Sequence, residues 1–173
     1  MGRLGSADGV VAASLLYQGW AARLTSIYAG SVVLCGAAPD LSAGGLWYRY
    51  PEGGGAISLS VADLSLVPPD TAWRRLVDAN LAPLAEAVRR EVHIGRRLLW
   101  GNVASAMAGS LAALAQGGHA RLPALIAAPW ASPDELAGLG SWTGSPLRFR
   151  RTTCCLYERL PGAGRCGDCS LDT

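Results

Sequence analysis

The chain has 173 residues, half of them hydrophobic and 16% charged, with a formal net charge of +2. That length supports one domain with a buried core, and that composition excludes a disordered chain. The weak net charge gives no reason to expect a nucleic-acid partner.

The opening residues, MGRLGSADGV, lack the positive region, apolar core and cleavage site of a secretory signal. Met1-Gly2 with Ser6 fits the myristoylation pattern, which is short enough to recur by chance. The cytoplasm is the expected compartment, with attachment at the inner face of a membrane as the alternative. Residues 8–29 read as a helix: Val11, Leu15 or Leu16, Trp20, Leu24 and Ile27 recur at steps of three and four, and Gly30 is placed to end it. Turn chemistry follows at Pro39-Asp40 and Gly44-Gly45. The alternation Ile57, Leu59, Val61 against Ser58, Ser60, Ala62 predicts a strand pairing with LWYRY, a β-hairpin over about 45–50 and 56–62 with a mobile glycine-rich tip.

Pro68 and Pro69 introduce a second helix, with Asp70 or Thr71 as its cap. Its buried stripe is Trp73, Leu76, Val77, Asn80, Leu81, Leu84 and Val88, and the arginines opposite read as a solvated face. A third helix covers about 95–115. Its apolar run from Leu98 to Ala115 is broken by Gly101, Asn102, Ser105, Gly109 and Ser110, which predicts a buried helix and no transmembrane segment. Ala104, Ala108 and Ala112 form a small-residue ridge suited to close helix packing. A short helix is expected over 122–128 and another from Ser132, where SPDEL carries a capping box, with Gly138 and Gly140 ending it. SWTGSPLRFRRTT reads as an extended lead-in to the last segment.

Four of the five cysteines fall within the last twenty residues, as CCLYERLPGAGRCGDC. Ten residues separate Cys155 from Cys166, and two separate Cys166 from Cys169. Two thiolates three positions apart can share a metal through a tight knuckle. Adjacent Cys154 and Cys155 would point to opposite faces of a regular strand, so both reach one site only if the backbone bends there. Pro161, Gly162 and Gly164 can fold the loop back. Three outcomes compete: disulfides, structural zinc on four ligands, and a [2Fe–2S] cluster taking two thiolates per iron. A reducing compartment and the strain of bonding adjacent cysteines argue against disulfides.

The stretch RTTCCLYERLPGAGRCGDCSL, from Arg151 to Leu171, resembles the carboxyl terminus of the FhuF-like ferric siderophore reductase family. The likeness covers CCLY, RLPG and CGDC besides the cysteine spacing, and LLWGNVASAM (Leu98 to Met107) and YQGWAARLTSIYAG are similar to that family too. The residues read as a single, mainly helical α+β domain over 1–173, with a small β-hairpin and a cysteine-rich loop at 148–171 that the resemblance makes cluster-binding. The resemblance implies a [2Fe–2S] cluster on Cys154, Cys155, Cys166 and Cys169, and an enzyme passing one electron to Fe(III) held by a siderophore, of hydroxamate type, in the bacterial cytoplasm. All fifteen basic residues are Arg, a bias of GC-rich genomes that agrees with a bacterial source. Hydroxamate oxygens are hard ligands that favour Fe(III), so one electron loosens the iron. Arg148, Arg150, Arg151, Arg159 and Arg165 crowd the tail, either as solvated or carboxylate-paired loop residues or as a docking patch for an anionic siderophore or an acidic donor. Arg150, Arg151, Arg165, Asn102 and Trp100 are the candidate neighbours of the cluster, with Asn102 a buried anchor for its loop. Two rivals keep the motif: a siderophore-pathway binding protein stapled by zinc, and a general [2Fe–2S] electron-transfer protein.

The remaining residues read more simply. Cys35 is expected as a small buried hydrophobe. His93 and His119 share no ligand spacing. Trp20, Trp73, Trp100, Trp130 and Trp142 are core by default, the last three with a second reading as walls of the cluster or of a bound siderophore. The chain shows no phosphate loop, dinucleotide fingerprint or catalytic triad, so the electron donor is expected to be separate, such as a ferredoxin or a flavin reductase.

Overall fold

The computed structural model describes residues 8–51, 57–118, 135–143 and 148–171. Helix α1 (Gly9–Cys35) starts where the Asp8 carboxylate accepts the backbone N–H groups of Val10 and Val11. It runs past Gly30, which stays helical, because Val32 and Val33 still have a core to enter. It stops at Gly36, whose φ of 73° is the left-handed conformation that glycine adopts without steric cost. The buried face is Val11, Ser14, Tyr17, Ala21, Leu24, Thr25 and Tyr28. This is rotated from the stripe expected from hydrophobic spacing: Leu16 is exposed and Ser14 is fully buried. Polar partners across the interface, rather than hydrophobicity, set the rotation. Cys35 is exposed, against the expectation of burial. The helix turns about 100° per residue, so Leu34 and Cys35 swing outward once Val32 and Val33 face in.

Short strands β1 (Ala38–Pro39) and β4 (Leu66–Val67) pair antiparallel around the predicted hairpin, β2 (Leu46–Arg49) with β3 (Ser58–Val61). Its register sets Leu46 opposite Val61 and Tyr48 opposite Leu59. The expected glycine-rich tip lies at 52–56, outside the described residues. Helix α2 (Pro69–Leu76) begins without the side-chain cap expected of Asp70 or Thr71: Pro68 occupies the cap position and Asp70 sits in the first turn. There its charge favours the helix dipole instead. The helix widens into a π turn at Val77–Leu81, where the Ala82 N–H donates to the Val77 carbonyl, before α3 (Ala82–Glu91). Pro83 has no N–H and its ring crowds the preceding turn, and the wider turn accommodates it.

Helix α4 (Arg96–Gln116) is the central element, with an unbroken buried run from Leu99 to Ala108. It is long and apolar enough to cross a membrane by composition, but two thirds of that stretch is buried against the rest of the chain. Its broadest contact is with α1. Ala104 and Ala108 of the small-residue ridge are buried, and Ala112 is exposed. Leu24, Leu76, Leu81, Val103 and Met107 form the middle of the core; each such side chain contributes about 1.5–3 kcal/mol on burial. Polar residues bond across the seam: Gln18 donates to Ser105, and Thr25 and Ser26 share Ser110.

The expected lead-in to the tail is a third antiparallel pair, β5 (Gly140–Thr143) with β6 (Arg148–Arg151). Gly140 opens a strand rather than ending a helix, and a Cβ there would lie 2.1 Å from the Phe149 ring. The molecule is thus α+β as expected, with two further strand pairs beside the predicted hairpin. The helix expected over 122–128 lies outside the described residues, with Trp130 and His119; of the helix expected from Ser132, residues 135–139 form turns instead, with Gly138 at a φ of 66°.

Candidate metal centre

The tail leaves β6 at Arg151 and is pinned at both of its cysteine pairs. The Thr152 N–H donates to the Leu139 carbonyl at 2.9 Å, and the Arg151 N–H to the Asp168 carbonyl at 3.2 Å. The second bond ties the root of the tail to its Cys-Gly-Asp-Cys knuckle. Within the knuckle the Cys169 N–H donates to the Cys166 carbonyl, closing a tight turn. Leu156 supplies the bend that the adjacent cysteines require. Its φ of 67° makes it the single non-glycine residue with positive φ among the described residues, at a cost of about 1–2 kcal/mol. A 3-10 turn, Tyr157–Arg159, follows immediately.

These turns bring the Cys155 and Cys166 sulfurs within 3.5 Å of each other. Two thiolates on one tetrahedral metal, each about 2.3 Å from it, are separated by little more than this. The other two sulfurs each accept a backbone N–H: Cys154 from Leu156 at 3.3 Å and Cys169 from Leu171 at 3.4 Å. Such bonds stabilise thiolate charge. Among the described residues no three His, Cys, Asp or Glu side chains converge on one point. The tail therefore presents a sulfur pair with two flanking thiols, not a closed four-ligand shell. A two-iron cluster takes its thiolates as pairs, and this donor set fits it better than it fits a single-centre tetrahedron.

Burial pushes the Cys166 thiol up to about 12, helped by its hydrogen bond with Cys155 and by the Asp168 carboxylate. Burial likewise raises Cys154, with Cys155 and Glu158 adding to it against the Leu156 N–H. The Cys154 thiol lies 3.7 Å from the Glu158 carboxylate, which also faces Arg159 at 3.7 Å. Without a metal's positive charge the Cys166 thiol keeps its proton at neutral pH, and loading must displace it.

Behind the tail lies a buried polar network. The Ser14 hydroxyl donates to the Cys155 carbonyl at 2.7 Å. The Asn102 amide donates to both the carbonyl and the hydroxyl of Ser14 at 3.0 Å. Asn102 in turn accepts from the Arg151 guanidinium at 2.5 Å. Gly101 lets the tail sit against α4: a Cβ there would fall 1.8 Å from the Thr153 hydroxyl oxygen.

The structure separates the arginines that sequence groups together. Arg151 is 1% exposed, whereas Arg148, Arg150, Arg159 and Arg165 are exposed. Asn102 is fully buried and anchored as described. Trp100 is buried on α4, and its indole N–H has no partner among the described residues. Trp142 packs edge-on against Phe149, and Trp73 packs tilted against Tyr28. Trp20 donates to Asn80 and meets Tyr48. His93 is exposed beyond the end of α3. Sequence reasoning did not single out Ser14, Thr153 or Leu156. A serine at a core position of an apolar helix was the available signal for Ser14; nothing in the sequence marks Leu156 for a left-handed backbone.

A mainly helical domain that ends in a turn-built tail of four thiols, braced from behind by buried polar groups, has the make-up of an iron–sulfur protein. Residues 151–171 match the family model of the FhuF 2Fe-2S C-terminal domain, a [2Fe–2S]-binding segment. Comparison with curated proteins finds no match to the chain.

Proposed function

We propose that the protein is a cytoplasmic ferric siderophore reductase. The match of residues 151–171 to the FhuF cluster-binding domain, together with the Cys155–Cys166 sulfur pair, carries this reading. Cys154, Cys155, Cys166 and Cys169 would hold the cluster. When bound, the [2Fe–2S] group supplies a single electron at moderate potential to a neighbouring acceptor. The chain's own residues provide the setting. Leu156 and Leu171 direct N–H groups at sulfur, which favours the more negative, reduced form. Cys154 and Cys166 are only partly buried, so an acceptor can approach the sulfurs closely.

Exposed Arg148, Arg150, Arg159 and Arg165 offer positive charge at the same end of the molecule, suited to an anionic ferric chelate or an acidic electron donor. The substrate is Fe(III) in a hard-oxygen chelate such as a hydroxamate. It gains one electron, and Fe(II) leaves because those oxygens hold it weakly. No siderophore bond breaks. The electron is replaced by a separate donor, a ferredoxin or flavin reductase.

The test begins with protein matured anaerobically with iron and sulfide, then reduced and mixed with ferric hydroxamate and a coloured Fe(II) chelator. One Fe(II) trapped per cluster oxidised, with cluster bleaching reversed, is the expected result. Colourless, zinc-loaded protein would establish the binding-protein reading instead. A coloured cluster oxidised by protein partners but inert to the chelate would establish a general electron carrier.

A further inference from the structure

Arg151 is the largest fully buried side chain among the described residues. Among the described residues its guanidinium makes one side-chain hydrogen bond, to the neutral Asn102 amide, while Nε and Nη1 are buried without a partner. Among the described residues no carboxylate lies within 4.0 Å to pair with it. An uncompensated buried charge costs several kcal/mol, so buried cations are found beside anions or give way to neutral residues. The cost here is spent on one place. Arg151 stands three positions before Cys154, its own N–H holds the Asp168 carbonyl inside the Cys166–Cys169 knuckle, and its Asn102 partner is one serine removed from the Cys155 carbonyl. The Thr153 hydroxyl and one Asp168 carboxylate oxygen, on the same tail, are also buried and unpartnered.

We propose that Arg151 is the buried counter-charge of the cluster, a positioning residue that leaves the empty protein electrostatically incomplete and becomes satisfied when the tetrathiolate group is built beside it. This rests on the assignment of the tail as the cluster site. A four-thiolate [2Fe–2S] group carries two negative charges oxidised and three reduced, so a fixed buried cation favours loading and favours the reduced form more. The exposed arginines of the tail are screened by water and contribute far less.

The test compares wild type with Arg151→Gln, which keeps a donor for Asn102 but no charge, and Arg151→Lys, which keeps the charge but loses the planar fork. Each is measured as metal-free full chain and as loaded protein. Arg151→Gln should melt at or above wild type when metal-free and below it when loaded. Its midpoint potential should move negative by about 59 mV or more, a tenfold change in a one-electron couple. Arg151→Lys should restore most of the potential, and Arg150→Gln should leave it within a third of that shift. Equal loss of melting temperature in both states, with the potential unmoved, would make Arg151 a purely structural brace and overturn the proposal. If wild type itself takes up no iron and sulfide, the cluster assignment falls and this proposal with it; failure of the counter-charge alone leaves wild type coloured and redox-active.

Discussion

Between α1 and α4, Leu24, Val103 and Met107 exclude water by apolar contact, and Gln18, Thr25, Ser26, Ser105 and Ser110 bond across the seam, although Gln18 Oε1 has no partner among the described residues. From Arg151 to Leu171 the chain is held by turns, backbone hydrogen bonds and one buried polar relay, with several buried polar atoms left over. The first region rests mainly on apolar burial. The second rests on polar contacts that converge on the cysteine pairs. Stability and redox function should therefore separate along this line, and variants can show how cleanly.

The largest contrast is expected from Cys166→Ser, which removes half of the 3.5 Å sulfur pair. It should cost more than tenfold in bound iron and sulfide and abolish Fe(II) release, while far-UV circular dichroism of the metal-free chain stays unchanged. Loss of helix signal would show that the tail is part of the core after all. Leu24→Ala breaks the other side. Leu24 is fully buried, and its truncation should destabilise the metal-free fold by about 3 kcal/mol in urea titration. At a temperature where the variant stays folded, the cluster spectrum should be that of wild type.

Asn102→Ala strikes the junction between the two regions. It strands the Arg151 guanidinium and the Ser14 groups, a loss of about 2–3 kcal/mol, and should lower cluster retention as well. A variant as stable as wild type and fully loaded would mean that the relay is ornamental. Gly101→Ala inserts a methyl where Thr153 sits. Displacing the tail should cost about 1–2 kcal/mol, with pairing of Gly101→Ala and Thr153→Ala, which removes the clashing hydroxyl, recovering part of it.

The smallest effect is expected far from the tail. The Asp40 carboxyl is held below its ordinary value of 3.8 by the Ser42 hydroxyl and backbone N–H and by Arg75 at 2.8 Å. A depressed carboxyl contributes stability above the unfolded value and loses it as pH falls through the folded one. Since both partners are more than a third exposed, solvent screening keeps Asp40→Asn to about 0.5 kcal/mol or less at pH 7. The difference from wild type should shrink as pH falls below the ordinary carboxyl value of 3.8 in a melting-temperature series.

The comparison also sorts what sequence made legible. Helices, the β2–β3 hairpin and the cysteine framework are written in local signals: spacing of Trp73, Leu76 and Val77, alternation through Leu59 and Val61, and the Cys-Gly-Asp-Cys knuckle. The rotation of α1 was not, because Ser14 faces inward for a partner 141 residues away that hydrophobic spacing does not register. The burial of Arg151 was hidden for a related reason: among five neighbouring arginines, only the fold decides which one loses its water. The β5–β6 pair was read as a single extended stretch, since Gly140 signals a stop in isolation and a close approach to Phe149 only in context.

The bond from Ser14 to the Cys155 carbonyl spans nearly the whole chain. Synthesis proceeds from the amino end, so α1 and α4 are made well before the thiols emerge from the ribosome. The order of manufacture then matches the order of need: a rigid cradle first, and the sulfur-bearing strap after it.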